Sequence, residues 1–209
     1  APGSILVLLR TIALLLCLNP SLSLAKGPSY AANLSLAAIQ TELSAYENIS
    51  GLAARFSQKK HLKGMGIVLD SQGRFELRAR NAAEKEVVWL VEKPSYLRLE
   101  LKGSGIEAFD SLEGPPRVLV ENTEMAAKAL RPILAWISMD AVKIDAEFTV
   151  TAKGKTEFLL QPKAEGAGSV KEILLRLGKT KLVESLRIQE KSGDALDIRF
   201  SETKIERAP

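Results

Sequence analysis

Few residues in this chain have side chains suited to catalysis or metal binding. It has one histidine, His61, and one cysteine, Cys17, so no disulfide, thiolate zinc site or His-pair metal site can be assembled from it. His61 stands among Lys59, Lys60 and Lys63 and reads as a solvated strand-end residue rather than a base or a ligand. Two strings, Gly154-Lys155-Thr156 and Gly178-Lys179-Thr180, resemble the end of a phosphate-binding loop. That loop needs a glycine five residues earlier, where this chain has Thr149 and Ile173, and it must open a helix. Both strings lie between strand-like segments and read as hairpin turns. The chain contains no GxSxG, HExxH, CxxC or GxGxxG, and none of its many carboxylates is spaced to single out an acid–base pair. No enzymatic activity, metal or organic cofactor is expected, which leaves binding.

Composition agrees. Of 209 residues, 46% are hydrophobic and 26% charged, enough for one domain with a substantial core. The formal charge of +4 is spread along the chain, unlike the dense basic stripe of a nucleic-acid binder. Only 5% of residues are aromatic, so the apolar content is mainly aliphatic.

The first 25 residues differ from the rest. Ile5 to Leu18 reads ILVLLRTIALLLCL, apolar but for Arg10, and is followed by NPSLSLAKG with small residues at Ser23 and Ala25. This is the layout of a secretory signal peptide, residues 1–25, cleaved after Ala25. A membrane anchor is the bland alternative, but the apolar run falls short of the roughly 20 residues that span a bilayer. Cys17 raises a lipoprotein signal as a second alternative, disfavoured by the large Leu16 before it. Cleavage after Ala25 would remove the one cysteine and leave residues 26–209 as a single exported domain.

Residues 34–47, LSLAAIQTELSAYE, place Leu36, Ile39, Leu43 and Tyr46 three and four apart, with Asn33 or Ser35 to cap, which predicts an amphipathic helix. Beyond Gly51 the period becomes two. Leu52, Ala54 and Phe56 alternate with Ala53, Arg55 and Ser57 in a first strand ending near Leu62. Strand patterns follow at Gly73–Arg80, Glu86–Glu92, Tyr96–Lys102 and Gly105–Ser111, split by DSQG, KPS and KGSG. A second series covers Val142–Ala152, Thr156–Pro162, Val170–Leu177, Lys181–Glu190 and Ala195–Thr203, split by KGK, KAEGAGS, GKT and KSGD. Some 10–11 antiparallel strands with short turns predict a mainly β fold with some α, a curved sheet or incomplete barrel. Between the two series, residues 122–140 supply Met125, Leu130, Ile133, Leu134, Trp136 and Ile137 around Pro132, a helix at about 123–137 that proline should kink. It could simply cover one end of the sheet or act as a movable lid.

One ordered set of short motifs is more specific. FSQKKHL (Phe56 to Leu62) after an amphipathic helix, Gly73 opening a strand, Trp89 with Pro94 five residues on, and Gly103 nine beyond that resemble the LolA-type outer-membrane lipoprotein carriers. FLLQPKAEG (Phe158 to Gly166), the strand Ile173 to Leu177 and the closing IRFSE (Ile198 to Glu202) agree. Ser71, Gly73 and Phe75 after FxQxK look like a divergent LolA-like branch. The resemblance implies an incomplete antiparallel barrel covered by helices, whose cavity shelters acyl chains crossing the periplasm of a Gram-negative cell.

It also implies roles. The cavity wall would be Phe56, Phe75, Leu77, Trp89, Val91, Leu97, Leu99, Leu101, Phe148, Phe158, Leu160 and Leu186, the inner positions by strand period; each could equally be plain core. Leu130, Ile133, Leu134 and Ile137 would form the lid. In the family a strand arginine just before a proline latches the lid. Here LRARNAAEKE has no proline beside Arg78 or Arg80 and carries an insertion before Trp89, which makes Arg80 the candidate latch and leaves room for a cargo other than the family's usual one. The implied partners are acylated cargo, either a lipoprotein or a glycolipid, an inner-membrane release machinery and an outer-membrane acceptor, with the carrier a monomer and no nucleic acid involved. The alternative is a regulator resembling the lipid-responsive, anti-sigma-factor-binding domain of RseB and MucB. Those proteins carry a second domain, for which residues 26–209 leave no room.

Overall fold

The computed structural model describes residues 33–79, 85–102, 105–109, 140–163 and 169–208. The expected leader, the helix expected at 123–137 and Arg80 lie outside these residues.

The described chain forms ten antiparallel strands in one sheet. They are β1 (Ile49–Leu62), β2 (Ile67–Ala79), β3 (Lys85–Lys93), β4 (Leu97–Lys102), β5 (Gly105–Phe109), β6 (Phe148–Ala152), β7 (Glu157–Pro162), β8 (Val170–Leu177), β9 (Val183–Glu190) and β10 (Ala195–Arg207). The spatial order is β5-β4-β3-β2-β1-β10-β9-β8-β7-β6. Two five-stranded meanders are thus joined where the first strand pairs with the last, from Ile49 opposite Arg207 to His61 opposite Ala195. An open antiparallel sheet with an incomplete-barrel order is the architecture that the alternating segments predict.

Helix α1 (Leu36–Glu42) is followed by a single 3-10 turn at Ser44–Tyr46. It is shorter than the helical period over residues 34–47 predicts. Ser35 is the cap, its hydroxyl accepting the Ala38 amide at 3.3 Å, whereas Asn33 bridges to Thr151 on β6.

Two segments depart from their sequence patterns. Val142–Ala152 reads as one strand, but its first half is helix α2 (Ala141–Glu147). The carboxylate of Asp140 accepts the Val142 and Lys143 amides at 3.1 and 3.2 Å, satisfying helix-start donors that no strand would leave free. Of the alternating residues, Ile144 is buried and Val142 is exposed. The second departure is DSQG, which reads as a turn but runs inside β2. The turn falls earlier, at residues 63–66, where Gly66 takes φ 65°.

Bulges keep the apolar face continuous. Between Ala53 and Arg55 of β1 the partner skips from Lys204 to Ser201, and Glu202 sits at φ 51°. The extra residue brings Phe200 and Ile205, an odd number apart, opposite Phe56 and Leu52, both buried. The opposite face is laced with ion pairs, including Arg55–Glu202 at 3.3 Å, Lys59–Asp70 at 3.2 Å and Arg74–Glu92 at 2.8 Å. That side faces water and contributes little net stability.

Candidate functional site

Strand register places eleven of the twelve expected cavity residues on one face of the sheet and pairs the twelfth position, Leu101, with Val87. Leu97 lies opposite Val91, Val91 opposite Gly73, and Gly73 opposite Phe56. One row along, Leu99, Trp89, Phe75 and Ala54 line up, and Leu101, Val87, Leu77 and Leu52 form the row beyond. Across the β1–β10 seam, Phe56 meets Phe200, and the series Ile198, Leu186, Leu175, Phe158 continues to β7. Leu160 lies two residues from Phe158, and Phe148 lies two from Val150, the residue opposite Leu160. Phe56, Phe75, Leu77, Val91, Leu97, Phe148, Phe158, Leu160 and Leu186 are buried, while Trp89 and Leu99 are half-buried. The Leu101 side chain, and the proposed lid residues Leu130, Ile133, Leu134 and Ile137 with the Arg80 latch, lie outside the described residues.

The two halves of this face differ. On the β1–β4 side it is aromatic. Phe56 stacks on Trp89 with ring centroids 4.2 Å apart, while Phe75 and Phe200 approach Trp89 edge-on at 5.8 and 6.3 Å. Gly73 makes this possible. A Cβ there would stand 1.8 Å from the Leu90 carbonyl oxygen and 2.9 Å from Cζ of Phe56, so the Phe56 ring crosses a position with no side chain to reach the indole.

On the β6–β8 side the face is mainly aliphatic, with Phe148 and Phe158 as its aromatic residues, and it is capped. Ile39 from α1, Leu43 just past its end and Ile144 from α2 pack over Val150, Phe158, Leu160, Leu175 and Leu177, leaving a gap of about 30 Å³. That is one water's share of liquid volume, against the roughly 300 Å³ at which ligand pockets begin. With the helices seated, this half is a closed core. The Tyr46 hydroxyl holds the end of the cap by accepting the Val183 amide at 2.7 Å. Burial outweighs that hydrogen bond and pushes the phenol up from 10.0 to about 12.

A polar element interrupts the apolar face. Lys60 of β1 and Glu190 of β9 are both buried and paired with each other. Sequence reasoning passed over this pair, although the alternation that buries Phe56 and Leu62 also turns Lys60 inward. Phe200 was missed because its inward orientation depends on the bulge at Glu202. His61 is half-buried, with Nε2 2.9 Å from a carboxylate oxygen of Asp197, which also accepts from Arg187 at 3.1 Å. Among the described residues no cluster of three His, Cys, Asp or Glu could hold a metal. A separate groove of about 550 Å³ opens where β3 leaves β2, lined by Ser57, Gln58, Lys59, Asp70, Ser71, Gln72, Lys93 and Pro94. All of these but Pro94 are polar or charged residues.

Residues 47–209 match the family described as outer membrane lipoprotein carrier protein LolA. The chain belongs to the LolA family. No curated protein matches it. Among solved structures, this LolA-family chain is similar to a LolA superfamily protein from Nitrosomonas europaea, at 10% identity over 82% of this chain and 94% of that one, with a TM-score of 0.41. It is also similar to the Mycobacterium tuberculosis lipoprotein LppX, at 11% identity over 80% and 93% of the two chains and a TM-score of 0.42. A third likeness is to MucB, at 10% identity over 83% of this chain and 60% of that one, with a TM-score of 0.48. The family assignment rests on the match over residues 47–209 and not on these distant likenesses. Among the described residues no helix is long and apolar enough to cross a membrane.

Proposed function

We propose that this LolA-family chain is a periplasmic carrier that shelters the acyl chains of a lipoprotein or related lipid against the apolar face of its sheet, for transfer from the inner to the outer membrane. The observation that carries the reading is that face: apolar side chains from strand after strand in register, in a chain whose family is named for lipoprotein carriage. Each methylene withdrawn from water contributes roughly 0.8 kcal/mol, so about ten give on the order of 8 kcal/mol. That holds an acyl chain during transit and still permits release. The aromatic half, with Trp89, Leu99 and Phe200 half-buried, would be contacted first. The capped half admits an acyl chain only when α1 and α2 lift, and within this reading residues 123–137 supply the lid and Arg80 its latch. The carrier works without cofactor or catalysis, taking cargo from an inner-membrane machine and giving it to an outer-membrane acceptor.

Native mass spectrometry of the protein purified from its own periplasm tests this. A stoichiometric lipid or lipoprotein adduct is expected. Recovery of a protein free of lipid, which also fails to take up a fluorescent fatty acid in solution, would overturn the reading.

A further inference from the structure

Three of the four large hydrophobic side chains exposed among the described residues fall within four positions: Met65 at 63%, Ile67 at 46% and Val68 at 48%. They occupy the tip of the β1–β2 hairpin. The hairpin is paired out to Leu62 opposite Ile67, but β3 joins β2 only from Gln72 onward, so Ile67–Ser71 project past it. On its other side the tip is held in place, since the Lys63 amide donates to the Asp194 carboxylate at 2.9 Å and the Lys63 side chain lies over Gly193.

The arrangement of the apolar groups indicates what covers them. Ile67 lies opposite Leu62, on the apolar face of the sheet, and Val68 lies opposite His61, on the charged face. Met65 sits in the turn between the strands. The tip is therefore apolar on both faces and at its end, which a flat protein surface meeting one face would leave half uncovered. A medium that surrounds the tip would cover all of it. Behind it stand the exposed Lys59 and Lys63, with Asp70 paired to Lys59. Lys60 is spent on Glu190 inside the sheet. Apolar residues at the end with cations a few residues behind are the order found in segments that lie in a membrane interface.

We propose that the β1–β2 hairpin tip is a bilayer-docking element: Met65, Ile67 and Val68 enter the headgroup layer of an anionic lipid surface, and Lys59 and Lys63 meet its phosphates. Asp70 beside Lys59 and Asp194 at the Lys63 amide offset the two lysines, so the apolar contact carries most of the binding and salt weakens it only modestly. Docking does not depend on the cargo reading. A protein that carries no acyl chain would still bind, and a carrier that fails to dock would still show its adduct in the mass spectrum.

The test is co-sedimentation of the full chain with vesicles of phosphatidylethanolamine and phosphatidylglycerol. Binding is expected, weaker on phosphatidylcholine vesicles, and about tenfold or more weaker for the double variant Ile67→Asp/Val68→Asp. If that variant loses its thermal transition, Met65→Asp, in the turn, takes its place. Lys63→Gln should weaken binding to phosphatidylglycerol vesicles and leave phosphatidylcholine binding unchanged. In Val68→Trp, the new indole's emission should shift to the blue when vesicles are added. A wild-type chain that does not sediment with vesicles would overturn the proposal. So would tip variants that bind like wild type, or a chain that self-associates through the tip and loses that association in the double variant.

Discussion

Lys60 and Glu190, 130 residues apart in sequence, form an ion pair on the apolar face of the sheet, their side chains 8% and 5% exposed. Neither charge has enough water around it to be stable alone. Strand β10, which runs between theirs, contributes Leu196 and Ile198 to the same face, and Ile188 stands two residues before Glu190 on β9, so the pair must satisfy itself. Breaking it should therefore cost more than removing it. Lys60→Met, which strands a buried carboxylate, is expected to lower unfolding free energy by about 3–5 kcal/mol, whereas Lys60→Met/Glu190→Leu should recover most of that loss. Urea unfolding of both variants decides the point; equal losses would show that the pair is solvated in a way its burial denies.

That pair also marks what the sequence could and could not convey. The alternation of Leu52, Ala54 and Phe56 identified β1 and its inward face, and the same period recovered most strands of the sheet, because apolar side chains on one face need only a period of two. Lys60 obeys that period too, but a lysine reads as surface until its partner is known, and Glu190 comes from the far end of the chain. Val142, Ile144 and Ala146 alternate as a strand would and still form α2, since the Asp140 cap satisfies two amides locally. DSQG carries every turn residue and lies within β2, because Gly73 is needed for the close approach of Leu90 and Phe56, not for a reversal. The tip at Met65, Ile67 and Val68 was illegible for another reason. Exposure of an apolar residue depends on where β3 stops, which no local pattern states.

Gly73 yields a sharp comparison. A methyl group there meets the Leu90 carbonyl oxygen at 1.8 Å, and backbone cannot step aside as a side chain can. Gly73→Ala should destabilise the protein by about 2–3 kcal/mol or more and break the Phe56–Trp89 stack, read as altered near-ultraviolet circular dichroism. Gly154 has nothing within 4 Å of its would-be Cβ, and Gly154→Ala should stay within about 0.5 kcal/mol of wild type. Similar effects from both would mean that β2 and β3 separate easily at the register shift between Gln72 and Gly73.

Tyr46 links the cap to alkaline stability. Its phenol is held up at about 12 in the folded protein against 10.0 when solvated, so the folded state retains a proton that the unfolded state releases. The contribution is complete below about pH 10, falls as pH rises toward 12 and amounts to something on the order of 2–3 kcal/mol across that window. Tyr46→Phe should remove this slope between pH 10 and 12, and at neutral pH cost about 1–2 kcal/mol through the unpaired Val183 amide. Chemical denaturation at pH 7, 10 and 11.5 measures both; an unchanged alkaline slope in the variant would assign the effect to other groups.

Under the proposed carrier function, the capped half of the apolar face bears on how cargo would enter. The gap of about 30 Å³ beneath α1 and α2 is an order of magnitude below a ligand pocket, so an acyl chain reaches Phe158 and Leu160 only if the helices move away. Ile144 is the α2 residue that closes the gap, 4% exposed and packed with Ile39 and Leu43. Ile144→Ala should cost about 2–4 kcal/mol, the loss from removing a buried isoleucine where the surroundings cannot collapse. Because the seated state is destabilised and the lifted state is not, the same change should speed the uptake of a fluorescent fatty acid by about tenfold or more, in stopped-flow mixing with the folded protein. An uptake rate equal to wild type, with the stability loss present, would place entry on the aromatic side at Trp89 and leave α1 and α2 as permanent core.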